Sequence, residues 1–148
     1  MTPIRVLFVC THNAARSQLA EALLASAGGP DFEAHSAGTE ATRVHPYAIR
    51  VLAERGIDWS GARSKVISEF LGQQFDHVIT VCDRARETCP YFPGATSTLH
   101  WGLDDPSDVD GTDEDRLEAF RRTVGEVTSR LGPFIETALA ARRVGRIR

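Results

Sequence analysis

The sequence predicts an α/β fold: a single three-layer domain over residues 1–148, with a four-stranded parallel sheet flanked by helices on both faces. Three observations predict it. Four short candidate strands, the first apolar and β-branched, alternate with helical segments, an order that packs as a parallel sheet covered on both sides. The chain of 148 residues can hold one core and is short for two. No internal repeat or low-complexity linker divides it.

Ile4–Val9 reads as a buried strand, short and β-branched. Arg16–Ser26 reads as a helix with Leu19, Leu23 and Ala27 on one face, stopped by "GGP" at Gly28–Pro30. Phe32–Ala37 is a candidate second strand. Pro46–Arg55 is a helix with proline near its start and Gly56 just past its end. A short helix is expected over Val66–Leu71, and a strand over Asp76–Val81. The segment Asp83–Gly94 reads as a loop with at most brief helix. Thr96–Trp101 is the last strand. An acidic loop follows, with Thr112 or Asp113 placed to cap the final helix. That helix spans Glu114–Arg142, and Gly132–Pro133 should kink or split it.

Apolar residues make up 42% of the chain and charged residues 25%, with a net charge of -3. This balance gives no reason to expect a nucleic-acid surface, and the basic "ARRVGRIR" end reads as a solvated helix terminus. No apolar run is long enough to span a membrane, and no signal peptide is evident. A cytoplasmic monomer is expected. In that setting Cys10, Cys82 and Cys89 are candidates for reactive residues rather than a structural disulfide framework. A zinc site is disfavoured, because the cysteine spacing is wrong and no histidine pair lies nearby. No metal and no cofactor is expected.

In parallel sheets, ligands bind beyond the carboxyl ends of the strands. Cys10 ends one strand, Cys82 ends another, and Asp104 and Asp105 follow a third, so these residues should converge. Between Cys10 and Arg16 a loop enters a helix N-terminus, where backbone N–H groups and the helix dipole favour an anion. The loop comprises Thr11, His12, Asn13, Ala14, Ala15, Arg16 and Ser17. Arg16 adds a planar fork suited to a tetrahedral oxyanion. Asn13 tolerates the left-handed backbone that a tight loop needs. The positive field favours thiolate over thiol at Cys10, and Ser17 can donate to it. A cysteine in this place can also be a small buried apolar residue. The arginine spacing and the strand-to-helix context favour the nucleophile. His12 reads as a solvated loop residue, His100 and Trp101 as packing residues, and His35, His45 and His77 stand in no motif.

Cys-(x)5-Arg-Ser in this setting resembles the low-molecular-weight tyrosine phosphatase fold. Val81-Cys82, Cys89, "SAG" at Ser36–Gly38 and "HWGLDDP" at His100–Pro106 sharpen the resemblance, to arsenate reductases of that fold recycled by thioredoxin. The resemblance implies that arsenate is the substrate and thioredoxin the reductant. It implies that Cys10 attacks arsenate held by the loop and Arg16, while Asp105 protonates the departing oxygen. Cys82 then attacks Cys10, and Cys89 attacks Cys82. Many relatives carry glycine at the place of His12. Some carry a further cysteine at the place of Ala15, so this loop cannot oxidise internally.

Some relatives bind potassium through residues matching Asn13, Glu21 and Ser36, completed by an aspartate. Lys65, the sole lysine of this chain, stands where that aspartate would be. Two cations should not share one small site. The Lys65 ammonium is therefore expected in place of the ion, with activity independent of potassium. Rival functions are a tyrosine or small-ester phosphatase, an arsenate reductase recycled by a small thiol such as mycothiol, and a non-catalytic oxyanion or redox sensor. A phosphatase has no use for Cys82 or Cys89. It would also carry an aromatic pair just after "DDP", which this chain lacks.

Overall fold

A computed structural model describes residues 2–83 and 95–147. Among these residues the strands are β1 (Ile4–Cys10), β2 (Phe32–Gly38), β3 (His77–Thr80) and β4 (Ser97–His100), and the α-helices are α1 (Arg16–Gly28), α2 (Pro46–Glu54) and α3 (Asp113–Ile147). The four strands form one sheet in the order β2-β1-β3-β4. Every neighbouring pair is parallel, with Phe8 opposite Ser36 and Ile79. The fold class is the one the sequence predicts.

β1 is the central strand because its apolar run has no polar face. Val6, Leu7, Phe8 and Val9 are all fully buried, so both faces of the sheet are covered. Phe8 lies against Trp101, and Trp101 against Phe134 of α3, with ring centroids 5.7 and 5.9 Å apart. On the opposite face His35 meets Phe70 and Phe75 at 5.6 and 5.9 Å. Burying one such phenylalanine contributes about 1.5–3 kcal/mol.

The observed elements differ in detail from the sequence expectations. β1 runs one residue further, to Cys10, and β3 and β4 are one residue shorter at each end. Asp76 and Val81, just outside β3, still donate their N–H groups to the carbonyls of Arg5 and Val9 at 2.9 Å. The short helix is a 3₁₀ turn, Ile67–Phe70. α1 continues to Gly28 and stops where Gly29 takes the left-handed φ of 58°. The expectation for Asp83–Gly94 falls on residues 84–94, outside the described residues.

Of the two outcomes expected at Gly132–Pro133, a kink or a split, the split does not occur: α3 runs through both residues as one helix. An internal proline costs roughly 3 kcal/mol. Leu131 and Phe134 flank it on the buried face of α3, with Val127 and Ala138 a turn further out on either side. Their combined burial, at about 1.5–3 kcal/mol for each large side chain, outweighs that cost. Thr112 rather than Asp113 caps the helix, through reciprocal 3.1 Å bonds between Thr112 and Asp115. Among the described residues, no helix is long and apolar enough to cross a membrane.

His45, which stands in no sequence motif, proves to be the N-cap of α2. Its Nδ1 accepts from the Tyr47 N–H at 3.0 Å, and its own N–H reaches the Ala14 carbonyl at 2.9 Å. Its ring packs 4.7 Å from Phe120. Burial, and then the nearby Arg116 charge, pushes this imidazole below its ordinary value of 6.5. Burial pushes His77 the same way. A depressed histidine leaves the folded state with fewer protons than the unfolded chain. The stability it contributes is complete above about pH 6.5 and is lost as the pH falls. The melting temperature should therefore drop between pH 7 and pH 5.5. His45→Asn, which caps without titrating, should make that drop smaller; an equal drop would exclude His45 as a source.

Candidate active site

The carboxyl ends of β1, β3 and β4 open on one cleft of about 440 Å³, lined in part by Thr11, His12, Arg16, Cys82, Leu103 and Asp105. β1 ends at Cys10, directly before Thr11 of the cleft lining. The loop that follows is tied to the end of β2, because Thr39 and Glu40 donate their N–H groups to the carbonyls of Cys10 and Thr11 at 3.1 and 3.0 Å. Gly38 permits this approach. A Cβ there would lie 2.5 Å from the Glu40 carbonyl oxygen and 2.7 Å from that of Thr11. Asn13 takes the left-handed backbone, with φ of 50°. Ala15 has no side chain with which to cap α1, and the first turn of α1 carries no acid. The first N–H groups of the helix are thus left facing the loop without a side-chain cap.

Cys10 is 3% exposed. Its sulfur lies 2.7 Å from Ser17 Oγ and 3.3 Å from the Asn13 N–H. The directions of these bonds follow from the surrounding donors. Asn13 Oδ1 accepts from the Lys65 N–H at 2.9 Å and from Gln18 Nε2 at 2.8 Å. Asn13 Nδ2 must then donate, to Ser17 at 2.8 Å and to Ser36 at 2.9 Å. Ser17 accepts from that amide and has its own proton left for the sulfur. Ser36 likewise passes its proton to Glu21 Oε1 at 2.5 Å. The sulfur is thus an acceptor from two donors.

Lys65 closes this network. Its Nζ lies 3.1 Å from Glu21 Oε1 and 3.4 Å from Ser36 Oγ. The two charged side chains are 14% and 15% exposed. The ammonium therefore sits against Glu21 and Ser36, while the backbone N–H of the same residue meets Asn13.

Arg16 projects into the cleft from the first turn of α1. One guanidinium nitrogen donates to the Leu103 carbonyl at 3.1 Å, and the other lies 3.4 Å from Asp105 Oδ2. The second Asp105 oxygen, Oδ1, accepts from the Ser107 N–H at 3.0 Å and its hydroxyl at 2.6 Å. Asp105 thus caps the 3₁₀ turn Pro106–Asp108 with one oxygen and presents the other to the arginine. Cys82 is buried at 4% exposure, two residues past β3, and its sulfur lies 3.4 Å from Thr11 Oγ1. Arg16, Cys82 and Asp105 therefore meet around one cleft, with Cys10 next in the chain to its lining residue Thr11. Cys89 lies outside the described residues. The exposed His12 side chain pairs with Glu40 at 2.8 Å.

Several supporting residues carried no sequence signal. Gln18 is fully buried and donates to Asn13, while its Oε1 accepts from Trp59 Nε1 at 2.8 Å. Nothing in a lone glutamine on a helix announces that role. Leu103 contributes through its carbonyl, which side-chain patterns do not display. Gly38 sits within "SAG", but its steric role needs the loop in place.

A family model described as low molecular weight phosphotyrosine protein phosphatase matches residues 5–144. The arsenate reductase of Halalkalibacterium halodurans is 40% identical over 132 residues, or 89% of this chain and 95% of that protein. Among solved structures, an arsenate reductase in the phosphate binding state aligns with a TM-score of 0.78 at 35% identity, covering 90% of this chain and 98% of that one. A Corynebacterium glutamicum thioredoxin-dependent arsenate reductase aligns with a TM-score of 0.69 at 33% identity, covering 93% of this chain and 64% of that one.

Removing one partner of a mostly buried ion pair leaves the other uncompensated and costs about 3 kcal/mol or more. Lys65→Met should therefore lower the melting temperature markedly. Replacing sodium by potassium at constant ionic strength should leave that of the wild-type chain unchanged. A clear potassium-induced rise in the wild type would mean that an ion can displace the lysine.

Proposed function

The chain belongs to the low molecular weight phosphotyrosine protein phosphatase family, and we propose that within it this chain reduces arsenate to arsenite and is returned to its reduced state by thioredoxin. Support comes from arsenate reductases 40% and 37% identical over most of the chain and from the thioredoxin-dependent structural neighbour. The observation that carries the reading is the second buried sulfur at the loop, Cys82 Sγ 3.4 Å from Thr11 Oγ1. Hydrolysis of a phosphate ester has no use for it, whereas a reductase needs an attacking thiol beside the first.

In this reading the loop N–H groups and Arg16 hold the arsenate oxygens, and the Cys10 thiolate attacks arsenic. An arsenic–oxygen bond breaks and the departing oxygen leaves as water, with Asp105 supplying a proton. Asp105 Oδ2 is the oxygen that faces Arg16 and hence the oxyanion. Cys82 then attacks the Cys10 sulfur. The sulfur–arsenic bond breaks, its electron pair stays on arsenic, and arsenite departs. The chain is left with a Cys10–Cys82 disulfide. Cys89 attacks Cys82, restoring the Cys10 thiolate, and thioredoxin reduces the Cys82–Cys89 bond. No bound cofactor enters these steps; the electrons arrive through the thiols.

The test is arsenate-dependent NADPH consumption with thioredoxin and thioredoxin reductase. The wild-type chain should cycle, and Cys82→Ser and Cys89→Ser should each lose multiple turnover by about a hundredfold or more. If Cys89→Ser cycles like the wild type, the relay is wrong and a small-thiol reductant gains. Turnover of phosphate esters alone would make the chain a phosphatase.

A further inference from the structure

One cluster beside the cleft is not used by these steps. His100, at the end of β4, lies between two side chains of the segment that carries Cys82. Its Nδ1 is 2.8 Å from Thr80 Oγ1, and its Nε2 is 2.9 Å from Asp83 Oδ1. Thr80 stands two residues before Cys82 and Asp83 one after it. A single imidazole thus grips the chain on both sides of the second sulfur. The backbone adds to the grip, since the Trp101 N–H reaches the Thr80 carbonyl at 2.8 Å and the Leu103 N–H reaches that of Val81 at 3.2 Å. Gly102 passes beside the pair. A Cβ there would lie 3.5 Å from His100 Nε2 and 3.9 Å from Asp83 Oδ1, at ordinary van der Waals distance.

Global stability is a poor reason for this pair. The Asp83 side chain is 86% exposed, and exposed ion pairs contribute about 0–1 kcal/mol. Geometry gives a better one. The sulfur that the pair brackets must meet Cys10 in line, and a misplacement of about 1 Å in a reacting group can cost a hundredfold in rate.

We propose that His100 and Asp83 are positioning residues for Cys82, a clip from β4 that holds the second sulfur against the first loop for its attack on Cys10. This rests on the arsenate reductase reading. The step concerned is the one in which the Cys82 thiolate forms the disulfide with Cys10 and the sulfur–arsenic electron pair leaves with arsenite. The clip touches neither arsenate nor either sulfur and acts through the backbone between Thr80 and Asp83.

The experiment uses the full chain carrying Cys89→Ser, so that the first disulfide accumulates. Reduced protein is mixed with arsenate and quenched at intervals with an alkylating agent, and the Cys10–Cys82 disulfide is measured by mass spectrometry. Adding Asp83→Ala should slow its appearance by about tenfold. Asp83→Asn should recover most of the rate, because its amide oxygen still accepts from His100 Nε2–H. Alkylation of Cys10 by iodoacetamide should stay within about twofold of the parent in both, since the first loop is untouched. Parental speed in Asp83→Ala, or equal slowing in Asp83→Asn, would overturn the clip. If the parent itself forms no disulfide with arsenate, the reductase reading falls and the clip with it.

Discussion

The cleft depends on the side-chain amide of Asn13. That residue must take a left-handed backbone, with φ of 50°, so that the loop can turn from β1 into α1. For a residue with a Cβ this costs about 1–2 kcal/mol. Its side chain offsets the cost. Asn13 is fully buried, and its amide makes four hydrogen bonds, to the Lys65 N–H, Gln18, Ser17 and Ser36. An asparagine amide has two donors and two acceptor positions, so none is left over. Each bond contributes about 0.5–1.5 kcal/mol net. The same amide therefore sets the loop's shape and directs the Ser17 proton at Cys10.

The Lys65–Glu21 pair gives that network its direction. Taken alone, a mostly buried ion pair adds little stability, because desolvation cancels much of the attraction. Its value here is orientational. Glu21 can only accept, so Ser36 donates to it and can only accept from Asn13. Lys65 can only donate, and its backbone N–H fixes which end of the Asn13 amide is oxygen. The polarity of every bond between Glu21 and the sulfur follows from the Glu21 carboxylate and the Lys65 backbone N–H. The first N–H groups of α1, with Arg16 in its first turn, complete a surround in which negative charge is favoured. The Arg16 side chain, held by Leu103 and Asp105, ties that helix to the segment after β4.

Much of this was legible in the sequence, for local reasons. The β1 run, the Cys10 to Arg16 spacing and the left-handed tolerance of Asn13 are properties of neighbouring residues. The fold class followed from alternating elements, and the convergence of Cys10, Cys82 and Asp105 from the rule that parallel strands end on one rim. What escaped depends on contacts between distant segments. Gln18 matters because Trp59, 41 positions away in the chain, meets its Oε1. His45 reads as an unremarked histidine until Ala14 and Phe120 close around it. Local chemistry at Gly132–Pro133 allows a kink or a split, and only the core-facing burial of Leu131 and Phe134 decides that α3 continues through it.

The most direct test of the Asn13 constraint is the affinity of inorganic phosphate, measured by titration calorimetry, for the wild-type chain and for Asn13→Gly. Glycine adopts the left-handed backbone freely but supplies no amide. If the amide organises the loop as described, phosphate should bind at least about tenfold more weakly to Asn13→Gly, a loss of one good hydrogen-bonding interaction. Equal affinity in the two proteins would contradict that role, leaving backbone shape as all that the position provides.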